Sequence, residues 1–365
     1  MSSYQHGALI TLERSHPDFE KFILGTFSNQ FRAIPVKSLN VNTKQEQVTF
    51  EIQEAAQIKT PSFFKRGMTI VKAKNFVLVL FPLFLVLVKN ILDETLVDIF
   101  LAILSGLSAI SAHVAVNLMN DVQDHIRGLD RILPLAGSRA LQKGWTTAQV
   151  LKRAALFYLL LAVALGVPSV YFFPEILWTI LPLAVVGLVG LLSYQAGLKY
   201  RAWSEWVVFL MLGPLLTTGF QLSFGGGFDL EVVFLGVLTG WFSVFLLHLK
   251  NWDQLVVNSQ AGFNNSVSRF GFEKSKIFIQ IWWCGFVFLL ATYHCIYAPL
   301  SWFVLISGAG VLVSIPFLRL MKNVTSPLGS KIHGAVQMGQ RVLVFVCSLW
   351  FFENLWIYFL ADFLG

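Results

Sequence analysis

Residues Val97–Asp130 read VDIFLAILSGLSAISAHVAVNLMNDVQDHIRGLD. From Val97 to Met119 the only charge is Asp98, at the start. A stretch of roughly 20 apolar residues is what a helix needs to cross a hydrocarbon core of about 30 Å. The run then passes without a break into Asn120-Asp121-Val-Gln-Asp124-His125. Ionisable groups near membrane depth are unfavourable unless they are used, so a span that ends in acids reads as a membrane helix with a polar site at its rim. Working outward, comparable runs occur near 75–91, 151–172, 175–194, 204–224, 230–248, 277–298, 299–318 and 339–362. The fold expected is all-α, a polytopic membrane protein with nine transmembrane helices.

Composition agrees with that reading. Of 365 residues 56% are hydrophobic and 13% charged, against about a quarter charged in soluble domains, and mean hydropathy is +0.67. A soluble enzyme is excluded, membrane lipid is an obligate partner, and no nucleic-acid partner is expected. The net charge is +7, from 27 basic and 20 acidic residues. Every lysine and arginine except Lys89 lies before the first span or in the even-numbered connections. Short cytoplasmic loops retain basic residues, so the N-terminus is expected in the cytoplasm and the C-terminus outside, in a bacterial-type inner or plasma membrane. Cys284, Cys295 and Cys347 lie in apolar runs and lack disulfide or metal-ligand spacing.

Residues 1–66 are polar and form a separate small cytoplasmic extension, with 67–365 as the membrane domain. Val48–Ile52 alternate like a strand, and His16–Phe27 resemble a short helix with Ser15 as its cap. An α+β extension of this size buries little core alone and needs a surface to pack on. Nothing in it suggests chemistry.

The acid cluster does. On a helix Asp121 and Asp124 are i, i+3 neighbours, while Asn117 with Asp121 and Asn120 with Asp124 are i, i+4 pairs, so oxygen donors share one wall. Gly128 can break the helix and let Asp130 turn back. Carboxylates without imidazole or thiolate partners make a hard-oxygen site suited to magnesium, which keeps some of its waters and binds substrate phosphates. The bland alternative is a solvated helix end. His113 and His248, which lie near membrane depth, are candidates for orienting an acceptor hydroxyl or serving as a base, although helix packing explains each as well.

The pattern Asn120-Asp121-x-x-Asp124-x-x-x-Gly128-x-Asp130 resembles the first aspartate-rich motif of UbiA-type intramembrane prenyltransferases. Its Gly-x-Asp ending is similar to the branch that prenylates 1,4-dihydroxy-2-naphthoate for menaquinone. Ala136-Gly-Ser-Arg139-Ala-Leu-Gln-Lys143-Gly144 resembles the basic loop that follows it, and Lys199-Tyr200-Arg201 with Glu205 and Gly213-Pro214 resembles the fourth loop and fifth helix. The resemblance spans about residues 70–365. It departs from the pattern at the second motif, where two aspartates are usual. Anchored on Gly262 and Phe270-Gly271, those positions fall on Gln254 and Asn258, with Asp253 as the only acid nearby.

What the resemblance implies is nine helices around a central cavity and Mg2+-dependent transfer of an isoprenyl group from an allylic prenyl diphosphate to an aromatic acceptor. Asp121, Asp124 and Asp253 would be catalytic. Metal ligands would come from these three with Asp130, Asn117, Asn120, Gln254 and Asn258. Arg139, Lys143, Lys199, Tyr200, Arg201 and Asn251 would bind substrate, with Glu205 pairing one of the bases. The amide-substituted second motif leaves open a catalytically weakened relative that holds isoprenoid lipid or a protein partner.

Overall fold

The computed structural model describes residues 5–93, 97–132, 137–297 and 300–364. Among them nine helical stretches are long and apolar enough to cross a membrane: Ala73–Leu92, Ile99–Ile126, Ala148–Phe172, Pro174–Ala196, Ser204–Ser223, Leu230–Asp253, Ser266–Tyr297, Val304–Lys322 and Lys331–Ile357. Their length and composition suit a multi-pass integral membrane protein. The ends differ from expectation. The second helix runs to Ile126, beyond Met119, because Asp121 and Asp124 are buried along it rather than released to a loop. The seventh stretch, from Ser266, is broken at Gly271 (φ 78°, ψ 177°), so its spanning helix starts just after that glycine, a few residues before the apolar run at 277, and the ninth begins at Lys331, well before the run at 339.

The chain divides into two compact units. The first comprises residues 1–76, 110–164 and 260–262. It holds strands β1 (Leu9–Glu13), β2 (Phe31–Leu39) and β3 (Gln47–Glu54), ordered β1-β3-β2 and antiparallel throughout. Val48, Phe50 and Ile52 alternate as the buried positions of β3. They close one core with Leu12 and with Phe19, Phe22 and Ile23 of α1 (Phe19–Leu24). The helix starts at Phe19 with Asp18 at its N-cap, not after Ser15, since Pro17 disfavours helical geometry in His16 before it. Ile126 packs on the same core, so the extension is continuous with the end of α4 (Ile99–Ile126) rather than free-standing. Helices α2 (Phe63–Ile70), α5 (Leu129–Ile132) and the first part of α6 (Ala148–Phe172) complete the unit. Glu46, fully buried, accepts from Arg14 at 2.8 Å and from Arg131 of α5, so one carboxylate ties sheet to loop.

The second unit holds α3 (Val77–Leu92), α7 (Leu177–Ala196), α8 (Ser204–Met211), α9 (Pro214–Ser223), α10 (Leu230–Asp253), α11 (Leu255–Gln260), α12 (Ser266–Tyr297), α13 (Leu300–Lys322) and α14 (Ser330–Leu364). Its core centres on α10, with Leu238, Phe245, Leu249 and Trp252 fully buried against Trp283, Phe286, Phe317 and Trp350. The fifth span is broken into α8 and α9 at Gly213-Pro214, where Gly213, Gly236 and Gly240 allow close backbone approach to α10. Small residues serve this purpose between membrane helices, where apolar burial alone gives no preference for helix over lipid.

Candidate active site

In the first unit α4 presents Asn117, Asn120, Asp121, Asp124 and His125 along its last turns. The helix ends at Ile126, Gly128 turns the chain at φ 80°, and α5 returns Asp130. Asp121, Asp124 and Asp130 are buried to 2%, 8% and 3% exposure. Asp121 Oδ1 meets the Lys72 ammonium at 2.5 Å, and its Oδ2 accepts the Ser138 N–H at 3.3 Å. Gly137 shows how close Asp130 comes. A Cβ placed there would lie 3.2 Å from Asp121 Oδ1 and 3.4 Å from each Asp130 oxygen, so two carboxylates border a space that only a glycine leaves open.

Gln142 Nε2 donates to Asp130 Oδ2 at 3.1 Å and to His125 Nδ1 at 3.3 Å, while His125 Nε2 faces the Ile23 carbonyl at 3.1 Å. The carbonyl can only accept, so His125 carries its proton on Nε2 and its ring is an orienting link, not a ligand. Asn117 Nδ2 donates to the Val71 carbonyl at 3.4 Å. Arg139 and Lys72 both stand in left-handed backbone, at φ 57° and 56°, a conformation that a non-glycine residue adopts at a cost of about 1 kcal/mol or more. Lys72 was not anticipated. In the sequence it is one of several basic residues ahead of the first span, and nothing in its neighbours marks it. Lys143 is exposed, with its ammonium 4.7 Å from the centre of the Trp145 ring. Ala136, the start of the basic loop, lies outside the described residues.

Among the described residues no three of His, Cys, Asp and Glu already form a metal cluster. Two carboxylates around the Gly137 gap, one of them already balanced by an ammonium, nevertheless fit a hard divalent cation. The donors there are predominantly oxygens.

The remaining expected residues lie in the second unit. Lys199 and Tyr200 close a 3-10 turn, Leu198–Tyr200, before Arg201. Tyr200 is buried and stacked on Phe263 at 4.5 Å, and its carbonyl accepts the Asn264 N–H at 3.2 Å. The Lys199 ammonium lies 5.3 Å from the Tyr200 ring, and Arg201 is exposed. Asn251 and Asp253 end α10, Gln254 follows it at φ −98°, and Asn258 is buried in α11 with its N–H donated to the Gln254 carbonyl at 2.9 Å. The i, i+4 relation of the two amides is therefore kept. Asp253 Oδ2 lies 3.5 Å from His333 Nδ1.

Glu205 corrects the expectation that it pairs with Lys199 or Arg201. It is buried, accepts from Ser204 at 3.0 Å and from Ser266, and lies 3.6 Å from His248 Nδ1. The reason is position: Glu205 sits within the first turn of α8, against α10, while the two bases belong to the turn before it. Glu205 is thus the carboxylate near His248 in the apolar interior, although neither His248 ring nitrogen is within hydrogen-bond reach of a partner among the described residues; His113 Nε2 likewise has none there, and its ring packs edge-on to Phe76.

The model of the UbiA prenyltransferase family matches residues 79–332. UbiA prenyltransferase domain-containing protein 1 of Dictyostelium discoideum is 26% identical over 172 residues, which are 45% of this chain and 52% of that protein. The chain thus matches about half the length of that relative. Among solved structures, a digeranylgeranylglyceryl phosphate synthase superposes with a TM-score of 0.56 at 16% identity, covering 80% of this chain and 98% of its own. A UbiA homologue from Archaeoglobus fulgidus bound to GPP and Mg2+ superposes with a TM-score of 0.54 at 12% identity, covering 78% and 99%. At such identities the structural likeness shows a shared fold.

Proposed function

The chain belongs to the UbiA prenyltransferase family, and on that premise we propose that it transfers an isoprenyl group from an allylic prenyl diphosphate to an aromatic quinone precursor, with 1,4-dihydroxy-2-naphthoate the favoured acceptor. The observation that carries this reading is the buried Asp121 carboxylate, balanced by Lys72 and sharing the Gly137 gap with Asp130. A relative bound to GPP and Mg2+ supports the choice of donor and cofactor. Asp121, Asp124 and Asp130 would hold magnesium, with Asn117 and Asn120 at the same wall; Asp253, Gln254, Asn258 and Asn251 form the reduced second set. When bound, magnesium supplies charge neutralisation and Lewis acidity at the diphosphate oxygens.

The chain's own groups account for the rest. Lys72 compensates Asp121 until the ion and the donor arrive. Arg139, Lys199 and Arg201 bind diphosphate oxygens, the arginines in bidentate fashion, and Lys143 stands further out against Trp145. The allylic C–O bond breaks with its electron pair leaving on diphosphate, an electron-rich ring carbon forms the new C–C bond, and the ring then loses a proton. His248, with Glu205 3.6 Å from its Nδ1, and His113 are the two candidates for taking a proton from the acceptor. The basic loops would face the cytoplasm, with the N-terminus.

The amides at Gln254 and Asn258 favour one further reading, a relative that holds isoprenoid lipid with little turnover. The deciding experiment incubates the purified full chain in detergent with Mg2+, labelled farnesyl or geranylgeranyl diphosphate and a panel of aromatic acceptors. A prenylated lipid-soluble aromatic is expected, most abundant with dihydroxynaphthoate. Donor binding without product from any acceptor would overturn transfer and leave the second reading.

A further inference from the structure

The first unit contains an open groove of about 430 Å³ that no carboxylate of the described residues lines. Two guanidiniums, Arg32 from β2 and Arg66 from α2, border it, and Leu118, Val150, Ala154 and Tyr158 supply apolar wall. Arg32 donates to the main-chain carbonyl of Phe31 at 3.1 Å, and Arg66 lies 6.0 Å from the centre of the Phe63 ring. Neither has a carboxylate partner among the described residues, so two positive charges stand at a concave surface without a described acid beside them.

The apolar wall comes from the end of the second span and the first turns of the third, the depth at which polar headgroups give way to hydrocarbon. Beside it α2 reads Phe63-Phe-Lys-Arg-Gly-Met-Thr-Ile70, with Phe63 and Phe64 exposed to 85% and 75%. A short helix with bare aromatics and adjacent bases belongs in the interfacial plane of a membrane. A soluble anion would use the guanidiniums and leave the apolar wall bare; a neutral lipid would do the reverse.

We propose that this groove binds one anionic phospholipid. Its phosphate accepts hydrogen bonds from Arg32 and Arg66, one acyl chain lies along Leu118, Val150, Ala154 and Tyr158, and Phe63 and Phe64 rest in the headgroup boundary. The site makes no use of the acid cluster and stands whether or not prenyl transfer does.

The test is native mass spectrometry of the full chain released from nanodiscs of equal phosphatidylglycerol and phosphatidylcholine with matched acyl chains. One retained phosphatidylglycerol is expected, preferred about tenfold or more. Arg32→Gln with Arg66→Gln should abolish the preference. Ala154→Trp, which fills the acyl path and keeps both charges, should lower retention about tenfold; this variant decides the matter if the double arginine variant fails to fold. Equal retention of the two lipids, an undiminished preference in the arginine variant, or displacement of phosphatidylglycerol by inorganic diphosphate would overturn the proposal, the last by assigning the guanidiniums to a water-soluble anion.

Discussion

Asp121 keeps a carboxylate almost out of reach of water and, among the described residues, is answered by the Lys72 ammonium at 2.5 Å. Removing one partner of a buried ion pair typically costs about 3–5 kcal/mol, because the other charge is left uncompensated. Lys72→Met should therefore lower thermal stability in metal-free buffer, and added Mg2+ should restore more of it than it adds to the native chain. Equal Mg2+ effects on the two would remove the metal from this wall. Asp121→Asn should reduce prenyl transfer by roughly 100-fold or more, measured in the labelled-donor assay; near-native turnover would end the assignment. Gln254→Asp combined with Asn258→Asp should lower the Mg2+ concentration needed for half-maximal rate, since carboxylates hold the ion more strongly than amides. At this scale Asp121, Asp124 and Asp130 were legible because helical spacing and a glycine turn dictate their convergence. Lys72 and the Glu205–His248 contact were not, because they join parts of the chain that no local period relates.

Among the elements, α10 shows how a single residue sets a helix start at the opposite end of a span from the motifs. Asp229 caps it by accepting the Glu231 N–H at 2.7 Å and also pairs with Lys89. Burial alone would raise the Asp229 pKa, but the Lys89 contact and the cap hydrogen bonds together hold it below the usual 3.8. The folded state thus prefers the charged form, so the stabilisation is present at neutral pH and is lost as the pH falls below about 4. Asp229→Ala should destabilise by about 1 kcal/mol near neutrality, the usual worth of such a cap, and should flatten the acid limb of a Tm-against-pH curve. An acid limb unchanged from the native chain would show that Asp229 contributes nothing to it. The spans themselves were readable from apolar length. Their true ends were not, because burial of Asp121 and of the residues after Lys331 comes from packing that composition does not display.

For the molecule as a whole, the extension shares a compact unit with residues 110–164. Glu46 joins Arg14 of the sheet to Arg131 of α5, and burial pulls the Arg131 pKa down while Glu46 opposes it. Deleting residues 1–58 should therefore lower the Tm of the detergent-solubilised protein by several degrees and also reduce turnover, because Arg131 and the neighbouring Asp130 lose their support. Native turnover in the deletion would show that the extension is dispensable to the site. The sequence by itself determined the membrane class, the number of spans and the first acidic motif, since each follows from hydropathy or from spacing along one helix. Only the tertiary structure decided which charges neutralise which. It also showed that the extension packs with the acid-bearing helix, and that two arginines beside an apolar groove have no acid partner among the described residues, because such relations arise where distant segments meet and leave no period in the chain.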